Sequence, residues 1–141
     1  MRHLFLTALF VSFFVGSLGP LSAQEVDGDG NIMEGENLFL DFCATCHGRN
    51  ATGDGPMAPA MSLQPTNLTQ LQNRNDGVFP IGRVIARIDG REPLVSHGSP
   101  MPIYGEFFEG NDAITKIETG QPFMTSQPII DLLAWLKSMQ E

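Results

Sequence analysis

The clearest pattern of apolar and polar positions lies near the C-terminus of the chain. Apolar side chains recur there at helical spacing and share one face: Ile129, Leu132, Leu133, Leu136 and Met139. Thr125 and Ser126 are suitable N-caps, and Pro128 fits a first helical turn. The pattern predicts an amphipathic helix, with Trp135 at the edge of its apolar face.

Two further stretches show helical periodicity. Residues 34–42 place Gly35 and Phe39 on one face and have acidic residues early, where the helix dipole favours them. Residues 77–88 carry an apolar stripe, with Pro80 near the first turn and Gly90 as a C-terminal stop. Both stretches are therefore predicted to be helices.

The rest of the chain has loop character. Residues 48–65 contain three glycines and three prolines, which favour tight turns over a regular element. Residues 91–121 are also rich in glycine and proline, and we expect at most a short helix around residues 113–118. No alternating pattern is long enough to predict a sheet. The fold class expected is all-α, with long loops.

The first residues read as a targeting segment. Arg2 precedes an apolar run over residues 4–18, and Leu21-Ser22-Ala23 resembles a cleavage site. A run of 15 residues is shorter than the ~20 of a spanning helix, so an uncleaved membrane anchor is the less favoured alternative. The predicted organisation is a signal peptide at 1–23, a flexible leader at 24–33 and one domain at 34–141, exported to the periplasm.

The charge balance limits the classes of partner. The chain has 16 acidic and 8 basic residues, and removal of Arg2 with the signal peptide changes the net charge from -8 to -9. An acidic domain is repelled by nucleic-acid phosphates and anionic lipids. We therefore expect neither nucleic-acid binding nor membrane insertion after cleavage, and we expect protein partners with a basic docking face.

The chain has only two cysteines, and both lie in the run Cys43-Ala44-Thr45-Cys46-His47. This CxxCH pattern is the signature of c-type haem attachment, in which two thiols form thioethers and the adjacent histidine ligates iron. A thioredoxin-like redox site requires a βαβ pattern, which is absent. A zinc site requires about four ligands at suitable spacing, and only His97 could supplement the motif. The motif predicts one covalent haem c, with His47 as an iron ligand.

The second axial ligand decides whether the iron is closed or open to substrates. Met139 is most simply a core residue, and Met57 and Met61 are so near the motif that a surface position or packing at a haem edge is the simpler role. Met101 is followed by Pro102 and lies in a loop with a stiff backbone. Met101 is the preferred candidate, and Met124 and His97 remain alternatives.

Several motifs together resemble class I c-type cytochromes, specifically the bacterial monohaem cytochromes c. The stretches that carry this resemblance are Gly35-Glu36-Asn37-Leu38-Phe39, Cys43-Ala44-Thr45-Cys46-His47-Gly48, Gly53-Asp54-Gly55-Pro56, Pro65-Thr66-Asn67-Leu68-Thr69 and His97-Gly98-Ser99-Pro100-Met101-Pro102-Ile103-Tyr104-Gly105. The resemblance implies a compact cytochrome c fold, in which three to four helices and long loops surround one covalently bound haem.

The resemblance also implies roles for individual residues. Met101 matches the Met-Pro-x-aromatic pattern of the axial ligand, so iron would be held by His47 and Met101. Trp135 would fill the gap beside Gly35 where the terminal helices cross. A carbonyl at Pro56 or Pro59 would accept a hydrogen bond from the His47 ring. Candidates for contacts with the haem propionates are Arg83, Arg87, Arg91, His97 and Tyr104.

The function expected is one-electron transfer without enzymatic activity, by a monomer or by a subunit of a redox complex. In the second case the chain would be a dedicated haem subunit of a periplasmic dehydrogenase or oxidase. The insertion at 105–125, with Phe107 and Phe108, would then be its docking surface. A third hypothesis, a haem sensor or enzyme, requires that Met101 leave the sixth position open.

Overall fold

The computed structural model describes residues 30–91 and 101–141. The helices and strands of these residues are α1 (Ile32–Phe42), α2 (Ala44–His47), α3 (Ile81–Asp89), β1 (Asp112–Lys116), β2 (Pro122–Ser126) and α4 (Gln127–Ser138). Short 3-10 turns cover Ala58–Ala60, Leu68–Gln70, Asn73–Asn75 and Glu106–Phe108. The predicted signal peptide lies outside the described residues. None of the helices in the described ranges is long and apolar enough to cross a bilayer.

Helix α1 begins two residues earlier than the periodicity predicts, because Asn31 caps it. The Asn31 side chain accepts hydrogen bonds from the backbone N–H groups of Met33 (3.1 Å) and Glu34 (3.3 Å). The Asn31 N–H itself donates to the buried Asp131 carboxylate on α4, at 2.8 Å. The cap therefore starts α1 and joins it to the C-terminal helix.

Helices α1 and α4 cross at Gly35. A Cβ at that position would collide with the backbone carbonyl of Asp131 and would lie 2.9 Å from the Cβ of Trp135. One turn later, the rings of Phe39 and Trp135 pack with their centroids 4.3 Å apart. Trp135 is only 4% exposed, so it lies inside the core and not at the edge of the helix face. The predicted contact between Gly35 and Trp135 is confirmed, and the backbone of α4 shares in it.

The crossing predicts that Gly35→Ala destabilises the protein. Overpacking at an unyielding backbone contact outweighs the better helix propensity of alanine, and we expect a loss of roughly 2–3 kcal/mol in the free energy of unfolding. Gly82→Ala is the matched control, because a Cβ on this helical glycine meets its nearest atom at an ordinary 3.4 Å. Denaturant unfolding of both variants measures the difference, and equal stabilities would contradict the proposed close contact.

Helix α3 supplies the second wall of the core. Its buried side chains are Val84, Ile85 and Ile88, as the apolar stripe predicts. It begins at Ile81, later than the periodicity suggests, because Pro80 has a non-helical backbone and occupies the N-cap position. It ends at Gly90, which adopts the left-handed conformation (φ 85°) expected of a C-terminal stop.

The predictions for residues 113–126 were wrong in two respects. Strands β1 and β2 form a two-stranded antiparallel sheet, with pairs running from Asp112↔Ser126 to Lys116↔Pro122, where a short helix and no sheet were expected. β-Branched and aromatic residues in both strands favour this pairing, and a turn closed by the Gly120 N–H to the Ile117 carbonyl (2.8 Å) connects them. Ser126 is the N-cap residue of α4, but its side chain makes no capping hydrogen bond.

Candidate cofactor site

A cavity of about 610 Å³ lies between the end of α1, helices α3 and α4, and the loops after α2. Its apolar lining comes from several segments and includes Phe39, Leu68, Leu71, Val84, Ile88, Leu132 and Leu136. Protein interiors are normally close-packed, with few voids larger than a water molecule. A cavity of this size, lined by the main core residues of a small domain, is the space expected for a large apolar cofactor.

The CxxCH motif forms part of the wall of this cavity. Helix α1 ends at Phe42, and α2 starts after Cys43, which turns the chain so that Cys43, Cys46 and His47 all line the cavity. The His47 N–H donates to the Cys43 carbonyl at 2.9 Å, which holds the motif in a helical turn. Two thiols and one imidazole therefore face the same space.

The cysteines are poorly suited to thiol–disulfide chemistry. Burial raises the pKa of the Cys43 thiol to about 12, with the neighbouring Cys46 adding to the shift. A redox-active CxxC needs a thiol whose pKa is lowered, because the thiolate is the nucleophile. The strands of the described residues also form only an antiparallel hairpin and no βαβ unit. The structure therefore disfavours the thioredoxin-like alternative.

The His47 ring is oriented by a backbone carbonyl. Its Nδ1–H donates to the Thr66 carbonyl oxygen at 3.0 Å, which leaves Nε2 with the lone pair that a metal ligand requires. Burial lowers the pKa of His47, and the bond to Thr66 partly opposes this, so the neutral imidazole is favoured. The expectation that Pro56 or Pro59 supplies this carbonyl was wrong, since the acceptor follows Pro65 in the same loop.

The segment around Pro56 does not contact the His47 ring in this way but binds the backbone of the motif. The C-terminal carbonyls of α2 accept hydrogen bonds from the loop that follows: Thr45 from Met57 (3.0 Å), Cys46 from Gly55 (3.1 Å) and His47 from Gly53 (2.7 Å). These carbonyls have no partner within so short a helix. The glycine- and proline-rich loop therefore folds back on the motif and fixes its backbone.

Two methionines of the described residues line the cavity, Met61 and Met101. Met124 lies on β2 and is 62% exposed, outside the cavity lining. Met57 is exposed, and Met139 packs against the core. His97 lies outside the described residues. The arrangement brings Met101 together with the motif, and it also brings Met61 there, which the sequence suggested only as packing at a haem edge.

Three arginines line the cavity: Arg74, Arg83 and Arg87. Arg91 does not, because it is paired with Asp89, donates to the Met124 carbonyl (3.0 Å) and lies over the Phe123 ring. Arg74 could not be identified from the sequence, because the short 3-10 turn Asn73–Asn75 that carries it shows no helical periodicity. Tyr104 lines the cavity, but its hydroxyl donates to the Phe42 carbonyl at 2.9 Å. Three cationic side chains therefore line the cavity, although the protein as a whole is acidic.

The sequence profile of the Cytochrome c family matches residues 32–140. The chain belongs to the cytochrome c family. No curated protein and no solved structure gives a significant match. Membership in this family means that the protein carries covalently bound haem c and transfers electrons to and from redox partners. Members are typically electron carriers and not enzymes.

The residues of this cytochrome suit haem c. The two thiols can form the thioethers, neutral His47 can donate its Nε2 lone pair to iron, and the apolar walls can enclose the porphyrin. The three arginines offer charge-assisted hydrogen bonds to carboxylates such as the propionates. The cytochrome c fold expected from the sequence is confirmed as a mostly helical domain, although the all-α expectation did not include the hairpin of β1 and β2.

Proposed function

We propose that this cytochrome is a periplasmic one-electron carrier, in which Cys43 and Cys46 attach the haem and His47 and Met101 ligate its iron. The observation that supports the proposal is that one cavity is lined by both thiols, the oriented imidazole and the Met101 side chain. Haem c supplies reversible one-electron chemistry between the ferrous and ferric states. A methionine opposite histidine raises the potential and closes the iron to exogenous ligands.

The chain's own residues favour a carrier over a catalyst. His47 is fixed by Thr66, and the segment after Met101 is joined to the motif through the hydrogen bond from Tyr104 to Phe42. None of the described residues that line the cavity is Asp or Glu, and His47 is their only histidine. A peroxidase-like mechanism needs an acid–base group on the open side of the haem. Among the described residues of this lining, no carboxylate and no second histidine could serve as that group.

Carbon monoxide tests whether the sixth position is closed. We expect the dithionite-reduced native holoprotein to show no change in its Soret band after addition of carbon monoxide, because Met101 occupies the position that the gas would take. Rapid and stoichiometric binding would contradict the carrier proposal and support the sensor or enzyme alternative. The Met101→Ala holoprotein is the positive control, since its open position should bind the gas.

Export is the second part of the proposal. Cleavage after Ala23 would leave a mature chain that begins at Gln24, with a polar leader before α1. Expression of the full chain in a bacterium that matures c-type cytochromes tests this by mass spectrometry of the periplasmic fraction. We expect an N-terminal peptide starting at Gln24. Recovery of the uncleaved chain in the membrane fraction would show that residues 4–18 act as an anchor.

A further inference from the structure

An aromatic cluster connects the haem cavity with the protein surface. Phe42 and Tyr104 line the cavity, and each contacts Phe107, with ring centroids 5.7 Å and 6.4 Å away. Phe108 is the buried member of the cluster. Its ring centroid lies 5.4 Å from that of Phe42, and the residue is only 4% exposed. Phe107, by contrast, is 71% exposed. The rings form a continuous set from the cavity lining to solvent.

The exposed ring of Phe107 is held in place. The N–H groups of Phe107 and Phe108 both donate to the Tyr104 carbonyl at 3.0 Å, which forms a tight turn over Glu106–Phe108. Burial of Phe108 anchors this turn, and the edge contact with Phe42 orients the Phe107 ring. A large apolar ring that is both fixed and exposed stabilises the fold little, whereas aromatic residues are enriched at protein interfaces.

The surroundings of Phe107 are acidic. Glu106 and Glu109 flank it in the sequence and are exposed. The groove beside this turn is lined by four acidic residues, Asp89, Glu106, Glu109 and Asp112. Arg91 lines the same groove as Glu106 and Glu109, but it is paired with Asp89. An apolar centre with an acidic rim is complementary to an apolar centre with a basic rim.

We propose that Phe107, Glu106 and Glu109 form the docking surface for a redox protein that presents an apolar contact surrounded by lysine or arginine. This inference rests on the proposed function as an electron carrier. One electron passes between the cytochrome and its partner near Phe107, so that one protein is oxidised and the other reduced, and no proton or atom is transferred. The rings of Phe42 and Tyr104 lie between the docking surface and the cavity, so the path of the electron between the partner and the haem is short.

Tris(phenanthroline)cobalt(III) is a suitable probe, because it is a trivalent aromatic cation and accepts one electron to become cobalt(II). Stopped-flow oxidation of the reduced native holoprotein should be fast at low salt and should slow as salt is added or as an oligolysine peptide competes. We expect Phe107→Ser and the double variant Glu106→Gln/Glu109→Gln each to slow this reaction roughly three- to tenfold. Oxidation by the anionic ferricyanide should instead become faster in the double variant.

Matched control variants distinguish the effect of the docking surface from the general effect of removing an exposed apolar side chain or an exposed charge. Ile114→Ser removes an exposed apolar side chain on β1, and Asp76→Asn removes an exposed charge; neither residue belongs to the cluster, and both variants should react within about twofold of the native rate. The redox-inert chromium(III) analogue of the probe gives a binding readout, since its paramagnetism should broaden the nuclear magnetic resonance signals of Phe107, Glu106 and Glu109 first.

Native rates in the Phe107 and glutamate variants, or broadening centred elsewhere, would overturn the docking surface. That outcome is distinct from failure of the proposed function, which would appear as carbon monoxide binding to the native protein. The glutamate, Ile114 and Asp76 variants change exposed residues, so their reduction potentials and thermal unfolding should match those of the native holoprotein. Phe107→Ser also loses the ring contacts with Phe42 and Tyr104, so we expect an unchanged reduction potential but a small loss of thermal stability.

Discussion

The Cys43→Ala/Cys46→Ala double variant should contain no covalent haem and should not fold stably. Without thioethers, the cavity of about 610 Å³ has no permanent occupant. Each apolar side chain that loses the cover of the haem costs roughly 1.5–3 kcal/mol, and several such losses together equal the roughly 5–15 kcal/mol of stability of a whole domain. Haem staining of a denaturing gel measures attachment, and far-ultraviolet circular dichroism measures helix content.

Single variants provide the control for this prediction. Cys43→Ala and Cys46→Ala each retain one thiol and His47, so a reduced yield of singly attached haem is expected. A double variant that shows native helix content and cooperative unfolding without haem would contradict the account, because it would mean that the cavity collapses without the cofactor.

The Met101→Ala holoprotein should have a much lower reduction potential than the native protein. Loss of the thioether removes a ligand that favours ferrous iron, and water or hydroxide in its place favours ferric iron. We expect a fall on the order of 100 mV, a modest part of the roughly 0.8 V over which axial ligands set haem potentials. Protein-film voltammetry measures the potential directly.

Met61 and Met124 are matched controls for Met101. Met61 lines the same cavity, and Met124 is exposed on β2. Met61→Ala and Met124→Ala should change the potential far less than Met101→Ala does. A larger fall in the reduction potential of the Met61 variant would indicate that Met61, which also lines the cavity, is the iron ligand.

The parts of the fold that could be predicted from the sequence depend on short-range patterns. Helices α1, α3 and α4 bury the stripes that their periodicity indicates, and Gly90 ends α3 as expected. The N-cap of α1 was assigned to the leader, because Asn31 follows a polar, glycine-rich stretch. The cap itself is local, since its bonds come from Met33 and Glu34, but the bond from the Asn31 N–H to Asp131 joins residues 100 positions apart, and no local pattern reveals it.

The hairpin could not be predicted for a similar reason. Ala113 is buried and Ile114 is exposed, so the alternation on β1 does not follow hydrophobicity. Strand formation there depends on the cross-strand partners between Pro122 and Ser126, and a single stretch of sequence does not show such partners. A helix assignment for this stretch used only its local composition, and the tertiary pairing overrode it.

In the candidate site, too, some residues could be predicted from a local motif, whereas others depend on contacts between distant parts of the chain. Cys43, Cys46 and His47 follow from a contiguous motif, and the structure brings all three into one cavity. The acceptor for His47 lies 19 residues away at Thr66, so its identity depends on how the loop returns to the motif. The same holds for Arg74, which reaches the cavity from a short 3-10 turn without any repeating pattern.

The weak far-red absorption band of ferric haem with a methionine ligand tests the central claim most directly. Spectra of the oxidised native, Met101→Ala and Met61→Ala holoproteins would be compared. If His47 and Met101 ligate the iron, the band is present in the native protein and in Met61→Ala and is absent from Met101→Ala. Absence of the band from the native protein, or its survival in Met101→Ala, would contradict ligation of the iron by His47 and Met101.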